Sequence, residues 1–178
     1  STEFGRLYVA PILTTFLDAH PNMSADILMV DRIVDIVEEG FDVAVRIGPL
    51  PSSGLSAVRV GQVRRMVCGA PEYFDRFGTP NSPADLADHQ VISNAPAGLS
   101  TEWKFGHDQQ HIVRLKPRLR LSSVAASIAV ARRGWGLVRV LSYQVGPDLV
   151  AGRLRSVLDA FEPDPLPIHL VHVEGRRA

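Results

Sequence analysis

The stretch from Asp31 to Gly48, Asp-Arg-Ile-Val-Asp-Ile-Val-Glu-Glu-Gly-Phe-Asp-Val-Ala-Val-Arg-Ile-Gly, constrains this chain most, because its hydrophobic period changes half-way along. Ile33, Val34, Ile36 and Val37 recur at helical spacing up to Gly40, and Val43, Val45 and Ile47 then alternate as in a half-buried strand. Arg46 falls on the other face of that strand, and Gly48 closes it. A helix that stops at glycine and feeds a strand with a polar exit loop predicts an αβ unit, and it points to a binding site more than to a catalytic one.

The rest of the chain repeats this alternation. Phe4 to His20 has near-helical apolar spacing, tolerates Pro11 with a kink and stops at Pro21. Ala25 to Val30 predicts a strand, the Pro49-Leu-Pro-Ser-Ser-Gly54 cluster a loop, and Leu55 to Gly69 two successive strand segments. Beyond Pro71 the spacing predicts short helices at Pro71 to Phe77 and Ser82 to Asp88, the second capped by Ser82. A strand at Gln90 to Asn94 follows, then a hairpin of Glu102 to Phe105 with Gln110 to Leu121 around Gly106-His-Asp-Gln109. Helices at Val124 to Arg133 and Tyr143 to Ala151 alternate with strands at Leu137 to Leu141 and Pro167 to Val173. Such alternation predicts parallel sheets with crossover helices, arranged as two α/β lobes, with a ligand site in the cleft between them.

Composition narrows the function. With 178 residues, 46% of them hydrophobic, the chain can bury one core or two small ones. Its 19 basic residues balance 19 acidic ones, so no global field draws nucleic acid to it, and the Arg114-Leu-Lys-Pro-Arg-Leu-Arg-Leu121 alternation reads as a strand with one solvated face. The single cysteine, Cys68, excludes an internal disulfide and reads as a buried strand residue. No apolar run is long enough to span a membrane and no signal-peptide pattern opens the chain, so the cytoplasm is the expected compartment.

Several residues are candidates for ligand recognition. Arg46 is placed to meet a carboxylate in a two-point contact, with an ion pair to Asp42, Asp31 or Glu39 as the alternative. Arg32 either faces the same cleft or is a solvated surface arginine. Ser1, Thr2, Asp31, Gly48, Ser93, Asn94, Ser122 and Ser123 all lie at exits from strands or starts of helices. Each is also a good cap or turn former, but together their short polar groups and free N–H groups predict a cradle for a small anionic metabolite. His169 and His172 project from opposite faces of a strand and cannot chelate together. His107 and His111 flank a polar turn and read as solvated. No Gly-x-Ser-x-Gly or His-Glu-x-x-His motif is present, Gly134-Trp-Gly136 reads as a helix C-cap with a tight turn, and neither catalysis, a metal nor a cofactor is expected.

Several separated segments carry a family resemblance. Phe4-Gly-Arg-Leu-Tyr-Val-Ala-Pro-Ile-Leu13, the Asp31 to Gly48 stretch, Pro71-Glu-Tyr-Phe-Asp-Arg-Phe-Gly-Thr-Pro-Asn-Ser-Pro-Ala-Asp-Leu86, Arg133-Gly-Trp-Gly-Leu-Val-Arg-Val-Leu-Ser-Tyr-Gln-Val145, Gly152-Arg-Leu154 and Pro167-Ile-His-Leu-Val171 resemble, in order, the effector-binding domain of LysR-type transcriptional regulators. The resemblance implies an α/β, periplasmic-binding-protein-like type 2 fold. Its two lobes, 1–67 with 173–178 returning to it and 68–172, would be joined by hinge strands at Arg65 to Gly69 and His169 to Val173. It also implies a small-molecule effector, a homodimer in which Tyr8, Ile12 and Thr15 of the first helix face a partner chain, and DNA binding through a helix-turn-helix domain outside this sequence. The family's opening strand would precede Ser1 and its closing helix would follow Ala178, so the chain is expected to be truncated at both ends. Ser122-Ser123 stands where the family often has Asn-Asp. The rival class with the same fold is a periplasmic solute-binding protein serving transport.

Overall fold

The computed structural model describes residues 1–51, 54–94 and 101–173; Ser52 and Ser53 of the expected loop, and 174–178 of the expected return segment, lie outside the described residues. Contacts divide the chain into two units, Ser1–Gln62 with Leu166–Ala178, and Val63–Pro165.

The first unit opens with a long helix, α1, running through Thr2–Phe4, a π-helical turn at Gly5–Val9, and Ala10–Ala19. The wider turn comes immediately before Pro11, whose missing N–H and ring oppose regular α-helical bonding there. Three strands follow, β1 (Val43–Ile47), β2 (Ser56–Val63) and β10 (Leu166–His172), in the sheet order β1-β10-β2. β1 and β10 are antiparallel, with Arg46 opposite His169.

Two expected elements of this unit do not form. Ala25 to Val30 belongs to no strand, since a ladder needs a neighbour in register and no described strand pairs with it. The expected helix after Asp31 is only a turn over Ile36–Gly40. The Asp35 carboxylate accepts from the Val37 and Glu38 amides, and Glu39 accepts from the Asp35 amide, so side chains take the donors a longer helix would use. Of its apolar face, Ile36 is 1% exposed whereas Ile33 is 86% exposed. Gly40 does end the turn, at φ +75°.

The second unit is a three-layer sandwich. Strands β3 (Arg65–Gly69), β4 (Val91–Ser93), β7 (Leu119–Arg120), β8 (Leu137–Leu141) and β9 (Arg155–Val157) form one sheet in the order β7-β4-β8-β3-β9. It is mixed and not the parallel sheet expected: β4 runs parallel to β7 and β8, but β3 is antiparallel to β8 and β9. Side-chain alternation sends Val67, Val91 and Leu137 to one core with Tyr73, Trp103 and Phe105. Met66, Cys68, Ile92 and Val138 enter the other, with Ile128 and Val145. The first core is closed by α2 (Pro71–Phe77), a 3₁₀ turn at Pro83–Asp88 and the hairpin of β5 (Thr101–Phe105) and β6 (His111–Leu115); the second is closed by α3 (Val124–Arg132) and α4 (Ser142–Val150). Arg114 to Leu121 is therefore not one strand. It breaks at Lys116-Pro117-Arg118, where proline cannot donate to a ladder, and β7 joins the other sheet.

Ser82 and Asp85 form the expected cap, a reciprocal capping box. Cys68 is fully buried, and burial pushes its thiol up to about 12, which leaves it an inert packing group. Gly134 is the expected left-handed helix stop at φ +68°. Gly136 has a different reason: a Cβ there would lie 2.7 Å from the Gln90 carbonyl oxygen.

Gly136→Ala should lower stability by about 1–3 kcal/mol, because backbone must move to admit the methyl group. Urea unfolding of this variant against the parent chain measures the loss. Asp148 is fully buried and accepts from Arg132 Nη2 at 2.5 Å and Arg153 Nε at 2.7 Å. Burial pushes its carboxyl up, but the two guanidiniums outweigh burial and its pKa is lowered from 3.8. Asp148→Asn should therefore cost about 1–3 kcal/mol at neutral pH, the half-exposed arginines limiting the loss. The difference from the unsubstituted chain should persist above pH 3.8 and shrink as pH falls through the lowered folded value.

Candidate functional site

In the first unit, Asp31 anchors the start of α1 by accepting from the Thr2 amide at 3.0 Å, while the Thr2 hydroxyl reaches the Met29 carbonyl at 3.4 Å. Burial raises the Asp31 carboxyl, yet the Thr2 amide and the Ser1 and Thr2 hydroxyls outweigh it, so it stays ionised at a lowered pKa. Arg32 pairs with Glu39 at 2.6 Å, and the hydrogen bond from this guanidinium takes the Glu39 carboxyl down to about 2. Arg32 is thus exposed and ion-paired.

Arg46 makes none of the three ion pairs considered for it. Its Nη2 donates to the Val34 carbonyl at 2.7 Å, and among the described residues no carboxylate neutralises it. These groups surround one cavity of about 330 Å³ lined by Ser1, Asp31, Arg32 and Arg46 among apolar neighbours that include Val34, Phe41 and Ile47. Four predicted residues thus meet in one pocket large enough for a small metabolite. Thr2 and Gly48 do not line it. Gly48 has φ +117° and spends its N–H on the Pro167 carbonyl at 2.9 Å, which makes it a strand terminator.

In the second unit the predicted groups separate by face. Ser93 is buried on the hairpin side, its hydroxyl 3.2 Å from that of Thr101, and Arg120 donates to Thr101 Oγ1 at 3.0 Å and to Ser93 Oγ at 3.5 Å. Asn94, the next residue, accepts from Ser127 of α3 on the other side. Ser123 caps α3 by accepting from the Ala126 amide at 3.3 Å, beside exposed Ser122. Ser93 therefore does not join Asn94, Ser122 and Ser123 in one cluster; consecutive strand residues point to opposite faces. Arg120 and Thr101 were not among the sequence candidates. The signal for Arg120 was its place at the end of a strand, ahead of the Ser122-Ser123 helix start, which the basic alternation around it concealed.

Tyr8, Ile12 and Thr15 are all exposed on α1, Ile12 by 70%, with the Thr15 hydroxyl returned to the Pro11 carbonyl. Among the described residues no group of His, Cys, Asp and Glu is arranged to hold a metal, and His107 instead pairs with Asp164 at 2.5 Å. No helix among them is long and apolar enough to cross a membrane.

This arrangement has relatives. The LysR substrate binding domain matches residues 1–178. The HTH-type transcriptional regulator PgrR of Escherichia coli K12 is 31% identical over 172 residues, 94% of this chain and 58% of PgrR. The chain likewise spans 56% of the E. coli regulator YhjC, at 32% identity, so it corresponds to somewhat over half of each. Among solved structures, CrgA, a LysR-type transcriptional regulator from Neisseria meningitidis, superposes with a TM-score of 0.81 at 26% identity over 98% of this chain and 60% of CrgA. The regulatory domain of AphB from Vibrio vulnificus matches in fold with a TM-score of 0.82 at 20% identity, covering 96% of this chain and 86% of that domain. The expected α/β, periplasmic-binding-protein-like type 2 fold is borne out, and the relatives are regulators, which sets the transport alternative and catalysis aside. The chain belongs to the LysR substrate-binding domain family, the effector-binding domain of LysR-type transcriptional regulators.

Proposed function

We propose that this domain senses a small anionic metabolite and that the ligand's carboxylate is taken by Arg46. The supporting observation is a guanidinium that lines a cavity of about 330 Å³ and has no carboxylate partner among the described residues. The Val34 carbonyl uses one of its five donors and fixes its direction, so the fork can still meet an oxyanion in two-point geometry. Ser1, Asp31 and Arg32 supply polar contacts around it, and the apolar lining accepts the body of the ligand. Asn94, Ser122 and Ser123 of the second unit complete the recognition set in the inter-lobe arrangement that the family resemblance implies, whereas Ser93, turned to the hairpin side, is left out of it. The ligand then alters DNA binding by a helix-turn-helix domain elsewhere in a cytoplasmic, homodimeric regulator. It can do so only through unequal affinity for two arrangements of the units.

Arg46→Gln should weaken binding of a small organic acid by about ten- to a hundredfold, the scale of one charge-assisted contact, while unfolding remains cooperative. Arg46→Lys should recover only part of the affinity, since an ammonium lacks the planar fork. Calorimetric titration against a panel of organic acids measures both, and unchanged affinity of a bound acid in the two variants would remove Arg46 from the site.

The exposed stripe of Tyr8, Ile12 and Thr15 is proposed as the surface that meets a second copy. Ile12→Asp should shift the chain toward monomer in sedimentation equilibrium, because it puts a charge at the centre of an apolar contact. A parent chain that remains monomeric at high concentration would sink this assignment.

A further inference from the structure

On the hairpin side of the second unit's sheet, Val67 of β3 is paired with Arg139 of β8. Arg65 lies two residues before Val67 on the same strand, so it shares that face and is the diagonal neighbour of Arg139. Arg139 lays its guanidinium 5.1 Å from the centre of the Phe105 ring and 5.8 Å from that of Trp103, and its Nη2 donates to the Lys104 carbonyl at 2.7 Å. Its Nε is buried and has no partner among the described residues. The Arg65 side chain, also half-buried, makes no hydrogen bond or ion pair among them.

Two adjacent, partly desolvated cations cost free energy unless an anion meets them. Burial, and then the charge of Arg65, bring Arg139 down to about 10, which still leaves it protonated at neutral pH. Of the carboxylates on neighbouring elements, Glu102 pairs with Arg114, and Glu162 pairs with Arg64 through Oε2 while its buried Oε1 has no hydrogen-bond partner among the described residues. Arg120, on the same face at β7, adds to the positive potential.

We propose that Arg65 and Arg139 form a binding site for a small oxyanion, a carboxylate or a phosphate, within the second unit. Aromatic rings orient the Arg139 fork, its buried Nε is left without a partner, and Arg65 adds a second positive charge that an oxyanion would offset. The site goes beyond the effector reading and shares no residue with the cavity around Arg46, so either can fail without the other.

The test is an NMR titration of the arginine Nε–Hε resonances of the 178-residue chain with sodium phosphate, sodium benzoate and, as control, sodium chloride at equal ionic strength. The Arg65 and Arg139 signals should shift saturably with at least one oxyanion and not with chloride, and the preferred oxyanion identifies the ligand class. Binding should weaken by about tenfold or more in Arg65→Gln, read at Arg139, and in Arg139→Gln, read at Arg65, and stay unchanged in Arg46→Gln. Should Arg139→Gln disturb folding, Arg139→Lys keeps a positive charge and should still weaken binding severalfold. No saturation with either oxyanion, an equal response to chloride, or undiminished affinity in both the Arg65 and Arg139 variants overturns the proposal.

Discussion

The antiparallel register of β3 against β8 organises the second unit. Because Met66 lies beside Val140 and Val67 beside Arg139, every side chain on these two central strands is committed to one face or the other. The odd-numbered set faces the hairpin and α2, the even-numbered set faces α3 and α4, and a slip of one residue would exchange the two cores. Close approach reinforces the register: a Cβ at Gly69 would stand 2.7 Å from Leu137, so the strand pair is packed against its neighbours with no spare methyl group. The same register carries Arg139 into a largely apolar layer, where Phe105 and Trp103 hold it by their ring faces.

Charge is distributed unevenly around this framework. Asp148 receives two arginines, and Arg32, Arg64 and Arg114 each have a carboxylate. Arg46, Arg65, Arg120 and Arg139 make no ion pair among the described residues. A chain with equal numbers of acidic and basic residues can thus be neutral overall and locally cationic. In the first unit the polar wall is built by backbone and side chains together, since the Val34 carbonyl steers Arg46 and the Arg32–Glu39 pair braces the turn beside it. The Arg46 guanidinium thereby ties β1 to the segment that runs from the end of α1 into it.

Much of this molecule was legible in its sequence because local rules and tertiary structure agreed. The α1 periodicity, the strands at Val43–Ile47, Leu137–Leu141 and Leu166–His172, the capping box at Ser82 and the stops at Gly40 and Gly134 depend on side-chain period, donor supply and backbone freedom, which neighbouring residues determine. So did the gathering of Ser1, Asp31, Arg32 and Arg46 around one cavity, because helix starts and strand ends fix where short polar side chains lie. Tertiary structure alone decided what needs a distant partner. Ala25 to Val30 has a strand's composition but no ladder, the helical pattern after Asp31 yields to carboxylates that capture its amides, and Pro117 diverts β7 into a mixed sheet. Pairing likewise decided which arginines are free: sequence identifies a guanidinium, but only the fold determines whether a carboxylate, a carbonyl or an aromatic face stands within reach of it.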